Sequence, residues 1–232
     1  MQGCACSPGF DRHASFLFHG DCLEVLRDLP DESVDCIITD PPYGIKYQSL
    51  SKSLPKTTVA NDGPEAYSLL DTALAIAVRK LKFNSHVYIF TNWQAYPAMR
   101  AVAERYFTLK NLLVWDKGVG TRGDLRGNYS FQSENIMFFH HGRRLLNNRR
   151  DGNILHFAKV PSNHMQHPTQ KPIALLKYLI EKSTNVGETV LDMFMGSGST
   201  CVAAKSLQRN CVGIDIDEGC YEVAKGRLAV AV

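Results

Sequence analysis

The chain has 232 residues, 44% hydrophobic and 21% charged, with 26 Lys and Arg against 23 Asp and Glu and a formal net charge of +3. That length buries one sizeable core and is short for two average domains, and so small a positive excess excludes a strongly basic tail that neutralises nucleic acid by charge alone. Seven cysteines (Cys4, Cys6, Cys22, Cys36, Cys201, Cys211 and Cys220) are an odd number in a chain large enough to need no cross-links, which points to a reducing compartment.

Cys22–Leu29 reads as a helix, followed by a turn at Pro30–Glu32 and a strand over Val34–Thr39. Two prolines in Asp40-Pro41-Pro42-Tyr43 stop that strand abruptly. Gly44–Gly63, rich in Lys, Ser and Thr and without periodicity, is expected to be a long mobile loop beside the strand end and a candidate lid. Glu65–Leu81 sets Leu69, Leu70, Ala73, Leu74, Ala77 and Val78 on one helical face, and His86–Phe90 reads as a buried strand. A helix over Ala95–Arg105, a strand over Leu109–Trp115, a glycine-rich loop over 118–127 and a strand over Asn135–His140 extend the sheet.

Between Gly142 and Gln166 the pattern dissolves into the basic run Arg143–Arg150 and a strand-like Ile154–Val160, an excursion in mid-chain. Pro172 suits the first turn of a helix over Ile173–Ser183, where its missing N–H costs nothing. Thr189–Phe194 (strand), Gly196-Ser197-Gly198 (turn), Ser199–Leu207 (helix), Asn210–Ile214 (strand) and Tyr221–Ala229 (helix) then form the most regular run. This alternation predicts one α/β domain over residues 1–232 with helices on both faces of the sheet, an excursion at about 142–166 and a mobile loop at about 44–63.

The turn Phe194-Met195-Gly196-Ser197-Gly198 opens a helix directly after a strand, where ligands meet backbone N–H groups in open α/β sheets. It departs from the dinucleotide fingerprint because Thr200 and Cys201 follow Gly198, and a bare G-x-G also marks a simple tight turn. Asp215, at the end of the next strand, is placed to accept from ribose hydroxyls; Asp217 offers the same chemistry and is the less favoured of the two. Asp40-Pro41-Pro42-Tyr43 presents a carboxylate, the Pro41 carbonyl and an aromatic face, with no N–H donor on either proline. Such a rim fits an extruded nucleobase whose exocyclic amine donates to Asp40 and Pro41 while its ring stacks on Tyr43. The alternative is a strand ended by Pro-Pro with Tyr43 packed beside it.

Taken in order, these segments resemble the amino-group DNA methyltransferases that use S-adenosylmethionine, in the permuted beta class where the DPPY segment precedes the FxGxG segment. Gly20-Asp21 resembles the segment near the cofactor's adenine, and His167-Pro168-Thr169-Gln170-Lys171-Pro172 the segment before the cofactor strand. The resemblance implies a Rossmann-like methyltransferase fold with a mostly parallel seven-stranded sheet and circularly permuted motif order. It implies Asp40, Pro41, Pro42 and Tyr43 as catalytic residues, and Asp21, Cys22, Lys171, Asp192, Phe194, Gly196, Ser197, Gly198 and Asp215 as cofactor contacts. The implied activity is transfer of a methyl group to N6 of adenine in duplex DNA. Cytosine N4 is the alternative, Asp-led motifs being commoner for adenine; an RNA or single-strand methyltransferase and a non-catalytic binding module are further alternatives. Carbon-5 cytosine methylation would need a cysteine nucleophile in a Pro-Cys context, and the sequence has no Pro-Cys pair.

Glu134 lies where relatives carry an acidic position near the base pocket, with core packing or a surface carboxylate as the other readings; Trp115 reads as core and Lys117 as a neighbour. DNA contacts are expected from Lys46, Lys52, Lys56, Lys117, Arg122, Arg126, Arg143, Arg144, Arg149 and Arg150, although the last four also fit a solvated basic loop. An excursion this short suits a short recognition site, or a homodimer reading a symmetric one. Cys4, Cys6 and His13 lack a defined fourth ligand, so no metal is expected. With neither a leader-like apolar run nor a membrane-length stretch, the expected location is cytoplasmic.

Overall fold

The structure, a computed structural model, describes residues 14–45, 60–120, 126–127, 129–161 and 170–231. Its strands are Ser15–His19 (β1), Val34–Thr39 (β2), Leu81–Thr91 (β3), Thr108–Asp116 (β4), Ser133–His141 (β5), Ile154–His156 (β6), Thr189–Asp192 (β7) and Asn210–Asp215 (β8). The helices are Cys22–Asp28 (α1), Ala66–Lys80 (α2), Tyr96–Ala103 (α3), Ile173–Ser183 (α4), Ser199–Ser206 (α5) and Glu218–Val230 (α6).

Strands that are apolar at nearly every position are covered on both faces, and the side chains of this sheet divide accordingly. In β2, Cys36 and Ile38 join one core layer and Ile37 the other; in β3, Tyr88 and Phe90 point to the first layer and Val87 and Ile89 to the second. The first layer is closed by Leu175, Leu176 and Leu179 of α4 and Cys201 and Ala204 of α5. Leu26 of α1, Leu70 and Leu74 of α2 and Met99 of α3 close the second.

All strands form one sheet in the order β1-β8-β7-β2-β3-β5-β4-β6. Neighbours are parallel except at β5, which runs antiparallel to both β3 and β4. Among the described residues the sheet therefore has eight strands, not the seven expected. The additional one is β1, an edge strand that pairs with β8 and whose five residues are at most half-buried, whereas every residue of β2 and β7 is buried. At the opposite edge β6 spans only Ile154–His156, shorter than the expected Ile154–Val160. Pro172 caps α4 from just outside it, and β7 stops at Asp192, leaving Met193 and Phe194 in the turn.

β2 and β7 are neighbours, yet β2 leads into α2 on one face and β7 into α5 on the other. The chain thus diverges from the carboxyl ends of these two strands, the position where open α/β sheets form a crevice. Among the described residues no helix is long and apolar enough to cross a membrane.

Candidate active site

Buried Thr39 ends β2 and donates through Oγ1 to Asp192 Oδ1 at 3.1 Å, joining the ends of β2 and β7. Asp192 also accepts from Thr200 Oγ1 (2.6 Å) and the Phe194 N–H (3.3 Å). Burial pushes the Asp192 carboxyl up to about 7, the nearby charge of Asp40 adding to the rise while these donors oppose it.

Beyond Asp192 the chain bends through Gly196 (φ +50°) and Gly198 (φ +74°), conformations that favour glycine. The two glycines do different work. A Cβ on Gly198 would lie 2.7 Å from Ala224 Cβ, so this residue lets α5 and α6 approach, whereas a Cβ on Gly196 would meet no atom within 4 Å. Asp215 Oδ2 accepts the Gly196 N–H at 2.8 Å, and its Oδ1 accepts the Asp217 N–H at 2.9 Å. Asp217, which lines the same pocket as Asp215, caps α6 by accepting the Cys220 N–H at 2.8 Å. Asp21 caps α1 in the same way, through the Leu23 N–H at 2.8 Å. Arg227 reaches back from α6 to donate to the Ser197 carbonyl (2.6 Å), Ser197 Oγ (2.9 Å) and Ser199 Oγ (3.0 Å).

These elements enclose an open pocket with about 1100 Å³ of empty space. Asp21, Cys22, Lys171, Asp192, Phe194, Gly196, Ser197 and Asp215 line it, together with Asp40 and Pro42. Gly198, Pro41 and Tyr43, singled out with them from the sequence, stand outside the lining.

At the Asp40 end runs a chain of alternating charge. Tyr43 OH donates to Asp40 Oδ1 at 2.6 Å, and Lys171 Nζ stands 2.6 Å from Asp40 Oδ2. Lys171 also lies 3.3 Å from Glu134 Oε2, and Lys117 lies 3.3 Å from Glu134 Oε1. Burial works against the Lys171 charge, but Asp40 and Glu134 overcome it and hold the ammonium above its ordinary range. Burial likewise opposes the Glu134 carboxylate, and Lys171 with Lys117 brings it below its ordinary value. Burial, then the charge of Asp40, raises the Tyr43 phenol well above its usual range. The Lys171 ammonium also stands 5.0 Å from the Phe90 ring centroid, and Lys117 5.0 Å from that of Trp115. Trp115 is core, its indole N–H donating to the Phe157 carbonyl at 2.7 Å.

Tyr43 is anchored twice, by its own hydroxyl and by Tyr67 OH, which donates to the Tyr43 carbonyl at 3.0 Å, and it packs against the core. Asp62 Oδ1 accepts the N–H groups of Gly44 (2.6 Å) and Ile45 (3.3 Å), closing the base of the 44–63 segment; Lys46, Lys52 and Lys56 lie outside the described residues, as do Arg122, His167–Thr169, Cys4, Cys6 and His13.

The basic run is not brought to the pocket. Ser85 pairs with His141 at the end of the sheet remote from Asp40, and there the Arg143 N–H binds Asn84 Oδ1. Arg144 pairs with Glu188 at 2.6 Å, just before β7, and the Arg149 carbonyl accepts from Lys182 near the end of α4. No local pattern marks Arg227 as part of the site, because its partners lie in another helix and turn.

The family described as DNA methylase (N6_N4_Mtase) matches residues 34–226. The DNA adenine methyltransferase YhdJ of Escherichia coli (strain K12) is 30% identical, the match covering 97% of this chain and 87% of that protein. The Type II methyltransferase M.HpaI of Haemophilus parainfluenzae is 31% identical over 91% of this chain and 73% of its own length. Among solved structures, the M1.HpyAVI–SAM complex superposes with a TM-score of 0.74 at 25% identity, covering 93% of this chain and 99% of that one. The cytosine-N4-specific PvuII DNA methyltransferase reaches a TM-score of 0.76 over 93% of this chain and 88% of its own at 16% identity, a likeness of fold alone.

Proposed function

The chain belongs to the DNA methylase family N6_N4_Mtase, and from that premise we propose that it transfers a methyl group from S-adenosylmethionine to the N6 amino group of adenine in duplex DNA. The observation that carries the reading is the Asp40 carboxylate, an amine acceptor standing in the lining of the same pocket as the Gly196 turn.

The residues present fit the cofactor. The open space beside Gly196, which any Cβ would enter, is a cradle for close approach to backbone, Asp215 supplies a carboxylate for a hydroxyl-bearing sugar, and Asp21 stands in the same lining on the side given to the adenine. Phe194 offers an apolar wall, and Cys22 and Ser197 complete that side. When bound, S-adenosylmethionine supplies an electrophilic methyl group on a sulfonium.

The remaining chemistry falls to Asp40 and its supports. An exocyclic amine is a weak nucleophile because its lone pair is delocalised into the ring. Accepting an N–H of that amine at Asp40 favours a tetrahedral nitrogen with its lone pair free to attack. Each carboxylate oxygen has two acceptor positions, so the bonds from Tyr43 and Lys171 leave one on each for the amine. Pro41 and Pro42 present no competing N–H. Lys171 and Tyr43 act as positioning residues that fix the carboxylate in one orientation.

Adenine is favoured by the Asp-led motif and by the name of YhdJ, a DNA adenine methyltransferase 30% identical over nearly the whole chain. The test is incubation with unmethylated duplex DNA and methyl-labelled cofactor, digestion to nucleosides and chromatography. Label is expected in N6-methyldeoxyadenosine; label in N4-methyldeoxycytidine would keep the role of Asp40 and overturn the base. In the same assay Asp40→Ala is expected to lose transfer by about a thousandfold with cofactor binding retained, and surviving transfer would refute the role given to Asp40.

A further inference from the structure

Trp93 and Phe131 keep 60% and 47% of their surface exposed, yet their rings lie near parallel, 13° between planes and 6.4 Å between centroids. Neither belongs to a core layer. Both stand at the site end of the sheet: Trp93 lies just beyond β3, Phe131 just before β5, and Thr91 pairs with Asn135 between those strands.

The backbone under each ring is braced. Asn92 Oδ1 accepts the N–H groups of Gln94 (3.0 Å) and Ala95 (2.8 Å), closing the turn that carries Trp93. Beside Phe131, the Lys117 N–H donates to the Gln132 carbonyl at 2.9 Å, and Gln132 Nε2 donates to Asp116 Oδ1 at 3.0 Å. Large aromatic faces left in water forgo the burial that would stabilise the fold, and here they are held on fixed turns. Glu134, three residues past Phe131, is the link through which Lys171 and Asp40 connect to Lys117. The aromatic pair therefore lies at the same end of the sheet as Asp40, whereas the basic run Arg143–Arg150 sits at the other end.

We propose that Trp93 and Phe131 form a stacking platform for nucleobases of the substrate DNA, covering the base faces exposed when the target base leaves the duplex. The inference rests on the functional reading above. Extruding a base forfeits its stacking and pairing, and an apolar side chain placed against the vacated step offsets part of that loss. Two rings are far smaller than a protein–protein interface and match the size of stacked bases. Every base has a π-face, so the platform adds affinity without reading sequence.

The test uses a duplex carrying the site found by sequencing DNA that the wild-type protein has modified. Single-turnover transfer is compared on the paired duplex and on one with an abasic position opposite the target, where extrusion is already easy. Trp93→Ala and Phe131→Ala are expected to lose about tenfold on the paired duplex, the size of a lost base–aromatic stack, and little on the abasic one, with Trp93→Tyr restoring the rate. Thermal melting and cofactor titration establish that each variant is folded. The sequence has two tryptophans and Trp115 is buried, so DNA is also expected to quench the exposed emission and shield it from acrylamide in the wild type but not in Trp93→Phe. Equal losses on both duplexes, no loss on either, or unshielded Trp93 at saturating DNA would refute the platform while leaving the methyltransferase reading intact. A wild-type protein that methylates no DNA overturns that reading and the platform with it.

Discussion

The Lys171 ammonium stands 2.6 Å from Asp40 Oδ2 and 3.3 Å from Glu134 Oε2, so one side chain from the segment before α4 ties the end of β2 to β5. Removing the central partner of a buried ion cluster leaves the others with less compensation for their burial; here Asp40 keeps Tyr43 and Glu134 keeps Lys117. Lys171→Met leaves Asp40 and Glu134 facing each other and is predicted to cost about 3 kcal/mol in urea unfolding. Glu134→Gln should cost less in the Lys171→Met background than in the wild type, because the contact with Lys171 is already gone while the loss to Lys117 is the same in both. A double-mutant cycle with no coupling would show that Lys171 and Glu134 do not stabilise each other.

The two glycines of the turn should separate folding from binding. Gly198→Ala sets a Cβ 2.7 Å from Ala224 Cβ at a φ of +74° and is predicted to destabilise by about 2 kcal/mol or more. Gly196→Ala, whose Cβ has nothing within 4 Å, should cost only about 1 kcal/mol of backbone strain while weakening S-adenosylmethionine binding about tenfold by filling the cradle. Calorimetric titration and thermal melting of the two variants measure both effects; normal cofactor affinity in Gly196→Ala would remove the turn from the binding site.

Arg227 orders the same turn from outside the pocket, with a single nitrogen serving the Ser197 carbonyl and two hydroxyls. Arg227→Met keeps the packing of the stem and loses those bonds. The predicted outcome is a KM for the cofactor raised about fivefold with kcat nearly unchanged, the signature of lost ground-state binding. A fall in kcat at constant KM would instead place Arg227 in the transfer step.

Stability should carry a pH signature from Asp192. Its folded value, raised by burial to about 7, lies above the ordinary carboxylate value, so the folded chain holds the extra proton and this contribution is fully present at about pH 4 and lost as pH rises through about 7. His86 works oppositely: burial lowers it to about 4, so its contribution is lost as pH falls below its ordinary value. Asp192→Asn preserves the neutral shape and leaves His86 untouched. The difference in melting temperature, variant minus wild type, is predicted to grow between about pH 4 and pH 7. A constant difference across that range would mean that Asp192 stays ionised in the folded protein.

Features that depend only on neighbours along the chain are legible in the amino-acid sequence. The short apolar stretches Cys36-Ile37-Ile38 of β2 and Val190-Leu191 of β7, the Pro-Pro stop after Asp40, the glycines of the 196–198 turn and the helical face of α2 are local patterns, and a backbone obeys them wherever it sits. β1 is less legible: its apolar run, Phe16-Leu17-Phe18, is only three residues long, and its partner β8 lies at the far end of the sequence. The tertiary structure alone decided that Asp40 and Gly196 open onto one pocket, through the pairing of β2 with β7. It also joined Lys171 to Asp40, brought Arg227 to Ser197, set Trp93 against Phe131 and carried the basic run to the remote end of the sheet. The physical reason is common to all of these: charge and aromatic character are written in single residues, but what each one meets is set by which strands pair and which way they run.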